Sequence, residues 1–269
     1  MYIAKKKFGQ NFLKDKNALN KIIESIPENA ENIVEIGAGL GDLTYELLRK
    51  FKVKSYEIDK DLIEFLKSKF ACELENGKFE LVFGDALKFW KNGLCNKIYF
   101  LVANLPYYVA TNMILKAIDD ELCDGFVAMV QKEVAEKFCA ESGDSEFGGI
   151  SVLADIFGKC EFLFSVPADS FEPAPKVVSA VIRLKKTRKI DDIFENSVQY
   201  ENFKNFLKIC FSSPRKTIMK NLSTKFDKEI LQSIFEKLDL TTNLRAHELN
   251  FTLFFKIFKN LRIKDERNQ

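Results

Sequence analysis

The hydrophobic and polar positions of roughly the first 185 residues follow two alternating periods. Apolar runs bounded by turn-forming residues predict strands at residues 32–36, 52–57, 79–83, 98–103, 124–130, 160–166 and 177–184. Apolar residues at helical spacing predict helices at residues 17–26, 41–50, 60–70, 109–119, 131–140 and 147–157. Strands and helices that largely alternate predict a parallel sheet covered by helices on both faces.

The pattern changes after about residue 200, where only the helical period remains. Apolar residues recur there at Phe203, Phe206, Leu207, Cys210 and Phe211, and again at Leu249, Leu253, Phe254 and Ile257. A polar segment at 185–200 separates the two regimes. The sequence therefore predicts an α/β domain at 1–190 and a small all-helical C-terminal domain at 191–269.

The composition is that of a globular protein. With 269 residues, 46% of them hydrophobic, and 26 phenylalanines, the chain can bury a substantial core. Its apolar runs are shorter than the roughly 18 residues that a bilayer-spanning helix needs, and its N-terminus is basic and polar. We therefore expect a cytoplasmic protein without a membrane partner.

Cysteine and histidine are poorly placed for metal chemistry. The six cysteines are scattered without a Cys-x-x-Cys pair, and His247 is the single histidine. A zinc site, a disulfide framework and a Ser-His-Asp triad are therefore all disfavoured. We expect reduced cysteines, no metal, and chemistry that depends on other groups.

Positive charge is concentrated in a few segments of a nearly neutral chain. The net charge is +2, but residues 201–269 carry 14 Lys and Arg against 8 Asp and Glu, which gives +6 for that region and −4 for the rest. Two further basic runs lie at 5–7 and 185–189. Three basic segments favour a polyanionic partner.

A glycine-rich loop joins the first predicted strand to the next helix in the segment Val34-Glu-Ile-Gly-Ala-Gly-Leu-Gly-Asp-Leu-Thr44. Its glycines would let the backbone turn tightly and let a ligand approach the main chain. Glu57 ends the second predicted strand, twenty residues after Gly37, where a carboxylate would accept hydrogen bonds from both hydroxyls of a ribose. This spacing predicts a nucleoside site.

Two acidic residues favour S-adenosylmethionine over a nicotinamide dinucleotide as the nucleoside ligand. Glu35 lies inside the glycine motif, where a carboxylate would repel a pyrophosphate but would suit a sulfonium-bearing amino acid. Asp85 follows the third predicted strand and would accept the adenine amino hydrogens. The order of these motifs predicts a Rossmann-like methyltransferase sheet.

The segment Asn104-Leu105-Pro106-Tyr107 ends the fourth predicted strand, at the edge where open α/β sheets bind ligands. A base amino nitrogen is a weak nucleophile because its lone pair is delocalised into the ring. The Asn104 side-chain oxygen and the Leu105 carbonyl would accept its hydrogens and favour a pyramidal nitrogen. Pro106 would stiffen this backbone, and Tyr107 would stack on an extruded base. We predict methyl transfer to a base amino group, without a general base.

These motifs resemble those of the ribosomal RNA adenine N6,N6-dimethyltransferase family, most closely its bacterial small-subunit (16S) branch, the KsgA-type methylases. The match covers nearly the whole chain and includes Glu57 and the segments 8–13, 35–41, 84–85, 104–107, 131–134, 171–177, 179–181, 215–217 and 243–246. The resemblance implies two methyl transfers to each of two adjacent adenosines in a hairpin loop near the 3′ end of 16S rRNA. It implies four S-adenosylmethionine molecules, with S-adenosylhomocysteine as the product.

The resemblance also implies residue roles. The expected cofactor-binding residues are Asn11, Leu13, Gly37, Gly39, Glu57, Ile58, Asp85, Ala86 and Asn104. Phe171 is expected on the opposite face of the target adenine from Tyr107. The residues expected to bind RNA are Lys5, Lys6, Lys7, Arg215 and Lys216. The expected partner is 16S rRNA in the small subunit or its precursor, and the protein is expected to be a monomer.

Some positions depart from the family pattern. Gly149 and Val178 stand where an arginine and an aspartate are usual, and Ser213-Pro214 stands where a further basic residue is usual. These positions concern RNA contacts and lie outside the predicted methyl-transfer site. The alternative functions are a large-subunit rRNA adenine dimethylase of the resistance type, a non-catalytic ribosome-assembly factor that binds RNA, and a nicotinamide dehydrogenase.

Overall fold

The predicted apolar runs are strands in the computed structural model, which describes residues 2–265. The strands are β1 (Phe12–Leu13), β2 (Asn32–Ile36), β3 (Lys52–Glu57), β4 (Phe79–Phe83), β5 (Tyr99–Asn104), β6 (Cys123–Gln131), β7 (Cys160–Val166), β8 (Phe171–Glu172) and β9 (Ser179–Lys185). Seven of them form one sheet in the order β4-β3-β2-β5-β6-β9-β7, and β1 pairs separately with β8. All seven predicted strands are confirmed, with ends that shift by at most two residues.

The six predicted helices are also present. The helices are α1 (Lys16–Glu24), α2 (Asp42–Leu48), α3 (Lys60–Lys69), α4 (Ala71–Glu75), α5 (Ala86–Phe89), α6 (Ala110–Asp119), α7 (Lys132–Cys139), α8 (Gly149–Phe157), α9 (Ser197–Cys210), α10 (Ile218–Leu222), α11 (Lys228–Lys237) and α12 (Phe251–Asp265). Short 3-10 helices lie at Lys6–Phe8, Trp90–Asn92, Ala168–Ser170, Ile190–Asp192 and Ala246–Glu248. The short helices α4 and α5 were not predicted because one turn shows no period.

The strand order places a ligand crevice between β2 and β5. From β2 the chain moves outward through β3 to β4, and it then returns to β5 on the other side of β2. The strands from β4 to β6 are all parallel, so their carboxyl ends share one edge of the sheet. In open α/β sheets ligands bind at the point where the strand order reverses. The confirmed Rossmann-like sheet therefore directs attention to the residues that follow β2 and β5.

One strand breaks the predicted parallel arrangement. β9 runs antiparallel to both of its neighbours, β6 and β7. A parallel return needs a crossover connection, usually a helix, and the connection at 167–178 contains only a 3-10 turn and β8. The expectation of an all-parallel sheet is corrected accordingly.

The centre of the sheet is rigid because β5 is buried along its length. Phe100, Leu101 and Val102 are almost completely shielded from solvent, and complete burial of such a side chain stabilises a fold by about 1.5–3 kcal/mol. Helix α2 packs on β3, and α6 packs on β6. The residues that follow these strands therefore project from a fixed base.

The structure divides the chain into two units whose limits differ from the predicted domains. The first contains residues up to 135 together with 160–186, and the second contains 136–159 together with residues from 187 onward. We predicted 136–159 as part of the α/β domain. This segment groups with the second unit because the apolar helix α8 packs there, with the Phe157 ring 5.8 Å from the Tyr200 ring. The predicted boundary at 190 stays a prediction, and the second unit resumes nearby at residue 187.

The second unit has an aromatic core. The Phe203 ring lies at its centre and is surrounded at 5.3 to 6.0 Å by the rings of Phe194, Phe206, Phe251, Phe255 and Phe258. Aromatic pairs at such distances add about 0.5–1.5 kcal/mol each beyond the burial of their surface. Much of the phenylalanine content of the chain is thus used to hold a small helical unit together.

None of the helices at residues 2–265 has both the length and the apolar character that crossing a membrane requires.

Candidate active site

A pocket lies in the first unit at the carboxyl ends of β2, β3 and β5, with the segment before β1 forming one of its walls. It is lined by Phe8, Gly9, Gln10, Asn11, Phe12, Gly37, Gly39, Glu57, Ile58, Asn104, Leu105, Pro106 and Tyr107. Nine of these residues were predicted from the sequence as cofactor-binding or catalytic. The parallel strands bring them together although they are distant in the chain.

The glycine loop after β2 leaves room for a ligand beside the main chain. Gly37 and Gly39 have φ values of +78° and +57°, which side chains other than glycine rarely adopt. A Cβ on Gly37 would point toward the Asn104 backbone oxygen, 4.0 Å away, and one on Gly39 would lie 3.0 Å from the Phe12 ring. The loop thus forms a cradle that a side chain would fill, as a nucleoside-bearing ligand requires.

Glu57 presents a preorganised carboxylate to this pocket. Its side chain is only 3% exposed, and its two oxygens accept hydrogen bonds from the backbone N–H groups of Gly39 at 2.9 Å and Asp59 at 2.8 Å. Burial raises the pKa of Glu57, while these backbone bonds oppose that rise. Each oxygen keeps a further lone pair, so the carboxylate can also accept hydrogen bonds from a diol.

Glu35 does not occupy the place predicted for it. Its side chain is buried between α2 and β3, where one oxygen accepts hydrogen bonds from Thr44, at 2.7 Å, and from Ser55. Burial raises the pKa of Glu35 to about 7, against the effect of these two hydroxyl groups. The sequence interpretation that set this carboxylate beside an amino-acid group of the ligand is therefore wrong. Glu35 is not among the residues that line the pocket.

The Asn104 amide is oriented by the segment before β1. Its Nδ2 donates a 3.0 Å hydrogen bond to the Asn11 carbonyl oxygen. A carbonyl oxygen can only accept, so this bond fixes which end of the amide faces Asn11. Oδ1 therefore remains available as an acceptor at the pocket, which is the role predicted for it.

The residues after Asn104 are held in place by neighbouring strands. The Leu105 backbone N–H donates to the Met129 carbonyl of β6 at 3.1 Å. The Tyr107 hydroxyl and the Ser179 hydroxyl lie 2.6 Å apart, at the start of β9. Burial raises the pKa of Tyr107, and the bond to Ser179 opposes that rise. A half-buried ring fixed at its hydroxyl end can offer a stable face to a planar ligand.

Four predicted site residues do not line the pocket. Leu13 and Phe171 face each other in the β1–β8 ladder and are each 5% exposed, because this pairing carries both into the core. The position of Phe171 on one face of the target adenine stays a prediction, and in this structure the side chain is buried. Asp85 caps α5 by accepting from the Leu87 N–H at 3.0 Å, and Ala86 is buried. The preceding residue, Gly84, donates its N–H to the Glu57 carbonyl, so Asp85 lies one strand away from Glu57.

Phe8, Gly9, Gln10 and Phe12 are lining residues that sequence reasoning did not select. The segment has no hydrophobic period, and its place depends on the distant pairing of Phe12 with Glu172. The signals in the sequence are the resemblance of segment 8–13 to the family motif and a pair of aromatic residues next to a basic run.

The residues predicted to bind RNA lie in different surroundings. Lys5 forms ion pairs with Asp59 and Asp61, each at 2.6 Å. Lys7 is exposed, with its Nζ 4.7 Å from the Phe8 ring centroid. The side chain of Lys6 lies outside the part that the structure describes.

A basic surface also exists in the second unit. Arg215 and Lys216 are exposed in the turn before α10. A β-bridge between Thr217 and Arg245 joins this turn to the segment 243–246, so the exposed Arg245 belongs to the same surface. Sequence reasoning recorded both segments but not their contact.

Among the described residues, no group of three or more His, Cys, Asp or Glu side chains is placed to hold a metal ion.

Known proteins are similar to this chain over its whole length. The profile of the Ribosomal RNA adenine dimethylase family matches residues 1–262. Ribosomal RNA small subunit methyltransferase A of Campylobacter hominis is 98% identical over 269 residues, which is 100% of both chains. The protein of the same name from Campylobacter concisus is 56% identical over 274 residues, covering 100% of this chain and 98% of that one.

Solved structures share the fold. A dimethyladenosine transferase from Plasmodium falciparum is similar with a TM-score of 0.78 and 28% identity, covering 94% of this chain and 98% of that one. The 23S rRNA methyltransferase ErmE is similar with a TM-score of 0.71 and 22% identity, covering 94% of this chain and 100% of that one. The second likeness concerns the fold alone.

Proposed function

The chain belongs to the ribosomal RNA adenine dimethylase family, and we propose that it dimethylates the N6 atoms of two adjacent adenosines in the 3′-terminal hairpin loop of 16S rRNA. The methyl donor is S-adenosylmethionine, and the product is S-adenosylhomocysteine. The choice of the small subunit rests on relatives of that name that are 98% and 56% identical to this chain. The proposed place of action is the cytoplasm, on the small subunit or its precursor.

The pocket fits the methyl donor. Gly37 and Gly39 leave space beside the main chain, and Glu57 supplies acceptors for the two ribose hydroxyls. Ile58 is an exposed apolar residue that lines the same pocket. Asp85, one strand away from Glu57, would accept the adenine amino hydrogens. S-Adenosylmethionine supplies an electrophilic methyl group on a sulfonium, which is a good leaving group.

The observation that carries the proposal is the orientation of Asn104. With Nδ2 bonded to Asn11, Oδ1 and the Leu105 carbonyl form two acceptors for the hydrogens of the adenine amino group. Two acceptors favour a pyramidal nitrogen and turn its lone pair away from the ring, toward the methyl donor. Pro106 fixes the backbone that carries the Leu105 carbonyl. Tyr107 stacks on the adenine, which is taken out of the RNA stack.

The reaction needs no general base. A bond forms between N6 and the methyl carbon as the bond from that carbon to sulfur breaks, and the nitrogen then loses a proton to water. After the transfer N6 has four bonds and a positive charge. It is then a stronger acid than the unmethylated amino group, so the proton leaves after the transfer. The residues at the pocket therefore have to hold and orient the amino group rather than ionise it.

RNA affinity is assigned mainly to the second unit. Arg215, Lys216 and Arg245 are exposed on segments that the Thr217–Arg245 bridge joins. Arg and Lys bind phosphates and position an RNA without reading its bases. The proposed active form is a monomer.

The test is methylation of purified ribosomal subunits from a strain that lacks the corresponding enzyme. We expect S-adenosylmethionine-dependent methyl incorporation into small subunits, with dimethyladenosine detected by mass spectrometry at two adjacent positions of the 3′-terminal loop. Incorporation into large subunits would support the resistance-type alternative. Binding to small subunits without incorporation would support the assembly-factor alternative. Asn104→Ala serves as the inactive control.

A further inference from the structure

The N-terminal arm, residues 2–12, is tied to a buried carboxylate that the proposed reaction does not use. Asp59 follows β3, and its side chain is only 1% exposed. Lys5 Nζ lies 2.6 Å from Oδ1, and Gln10 Nε2 donates to Oδ2 at 3.0 Å. The Tyr2 hydroxyl donates to Oδ2 as well. Three residues of the arm thus converge on one side chain.

A hydrogen bond within the arm also supports this network. The Lys5 backbone N–H donates to Gln10 Oε1 at 2.7 Å, so the amide of Gln10 joins the arm to itself and to Asp59. Burial by itself would raise the pKa of Asp59, but the bonds from Lys5, Tyr2 and Gln10 outweigh it and lower the pKa to about 2. Asp59 is therefore a carboxylate whose charge is compensated mainly by the arm, in addition to the hydrogen bond that it accepts from the Asp61 backbone N–H at 3.1 Å.

We propose that Asp59 is a positioning residue that fastens the arm as a strap across the cofactor pocket. Phe8, Gly9, Gln10, Asn11 and Phe12 line that pocket, so the fastened arm supplies one of its walls. At its far end the strap is held by the pairing of Phe12 with Glu172.

Asp59 also acts on the pocket directly. Its backbone N–H donates to Glu57 Oε1 at 2.8 Å, so the residue that holds the strap also orients the ribose-binding carboxylate. The inference rests on the proposed cofactor site and assigns Lys5 to the strap rather than to RNA. A ligand enclosed in this way binds with an affinity that is reduced in proportion when the closed fraction falls.

The first test is Asp59→Asn, with S-adenosylhomocysteine as the probe in calorimetry. Asparagine caps a helix about as well as aspartate, so the start of α3 is preserved while the charge that holds Lys5 is lost. We expect the Kd to rise roughly tenfold, as a closed fraction reduced to about a tenth requires. We expect the melting temperature without ligand to stay close to the wild-type value. Trypsin should cleave faster at 5–7.

A matched control and a second variant distinguish loss of the strap from general damage to the fold. Asp61→Asn removes the exposed ion pair with Lys5 and should leave the affinity within about twofold, because exposed pairs contribute little. Tyr2→Phe breaks the strap from the arm side and should weaken binding in the same direction. The two effects should be less than additive when Tyr2→Phe is combined with Asp59→Asn, because both act on one contact.

Two results in the variants would overturn the strap while leaving the proposed cofactor site intact. One is unchanged affinity and unchanged cleavage in Asp59→Asn. The other is a loss of affinity that comes with a lower melting temperature without ligand, which would show general damage to the fold. Wild-type protein that does not bind S-adenosylhomocysteine would instead overturn the proposed cofactor site and, with it, the strap.

Discussion

Two buried glutamates on neighbouring strands, Glu35 and Glu57, differ in what surrounds their carboxylates. Glu57 accepts backbone N–H groups at the pocket. Glu35 accepts the hydroxyls of Thr44 and Ser55 on one oxygen, and its other oxygen is buried without a hydrogen-bond partner among the described residues. Residue type and spacing alone predict ligand contacts for both, whereas their surroundings place Glu57 at the pocket and Glu35 in the packed interior.

Glu35→Gln should change how stability depends on pH. Burial raises the folded-state pKa from 4.5 to about 7, so the folded protein holds a proton that the unfolded chain releases. The contribution of Glu35 to the free energy of unfolding should be fully present below about pH 4.5 and should be lost as the pH rises through 7. Relative to wild type, the variant should gain about 3 kcal/mol between pH 4 and pH 8. Urea unfolding at several pH values measures this.

The exposed pair of Glu64 with Lys67 provides the control for that measurement. Glu64→Gln makes the same chemical change at a carboxylate that is exposed on the surface. If the free energies of unfolding of Glu35→Gln and of the wild type differ by the same amount at every pH in this range, the raised pKa is contradicted.

Asn104→Ala should slow methyl transfer by about a hundredfold to a thousandfold, because one acceptor of the amino hydrogens is lost where the transition state needs it. RNA affinity should change little, since it is spread over many phosphates. The measurement is single-turnover methylation at saturating S-adenosylmethionine, with RNA affinity determined separately. Asn32→Ala, at the opposite end of β2 from the pocket, should methylate at the wild-type rate. A near wild-type rate for Asn104→Ala would remove the role assigned to the amide.

At the scale of elements, the antiparallel strand β9 has a functional consequence. It places Ser179 at the carboxyl edge of the parallel strands, where its hydroxyl meets that of Tyr107. The edge that binds ligands is therefore completed by the one strand whose direction the sequence did not predict.

Ser179→Ala should lower kcat/KM for RNA by about fivefold, the equivalent of one hydrogen bond of about 1 kcal/mol, while cofactor affinity stays unchanged. Tyr107→Phe keeps the ring and should have the same effect. The double variant should be no worse than either single variant, because both remove one contact. Additive losses in steady-state methylation would show that the two hydroxyls act separately.

The elements that could be predicted are those with a clear hydrophobic period. All seven strands and six helices of the α/β region belong to this class, and the carboxyl ends of the parallel strands then located most of the pocket. The β1–β8 pair could not be predicted, because two-residue strands have no period and their partners are distant in sequence. The position of the arm and the burial of Phe171 depend on that pairing. The grouping of α8 with the second unit depends in the same way on aromatic contacts made across the chain.

At the scale of the whole molecule, chemistry and charge are distributed over different parts of the chain. The pocket residues all belong to the first unit, whereas the net positive charge is concentrated at 201–269. Affinity for a polyanion and the transfer step can therefore be altered independently.

The double variant Arg215→Ala/Lys216→Ala should flatten the salt dependence of RNA binding. Each lost phosphate contact lowers the slope of log affinity against log salt by about 0.7 to 0.9, so two contacts lower it by about 1.4 to 1.8. Single-turnover methylation at saturating RNA should be unaffected. Lys225→Ala/Lys228→Ala removes equal charge from exposed residues elsewhere in the second unit and should leave the slope unchanged. If both double variants lower the slope of log affinity against log salt equally, the effect comes from the net charge of the protein and not from Arg215 and Lys216.

The hydrogen bond from Asn104 to the Asn11 carbonyl couples the position of the arm to the orientation of the Asn104 amide. Under the proposed function, four methyl groups reach one RNA, and each spent cofactor leaves through an opened strap. Opening removes Asn11, the partner that orients the catalytic amide. The transfer machinery is therefore dismantled and rebuilt between successive methylations. Monomethylated adenosine then marks the point in the catalytic cycle at which the arm has to reseat before the second methyl group is transferred.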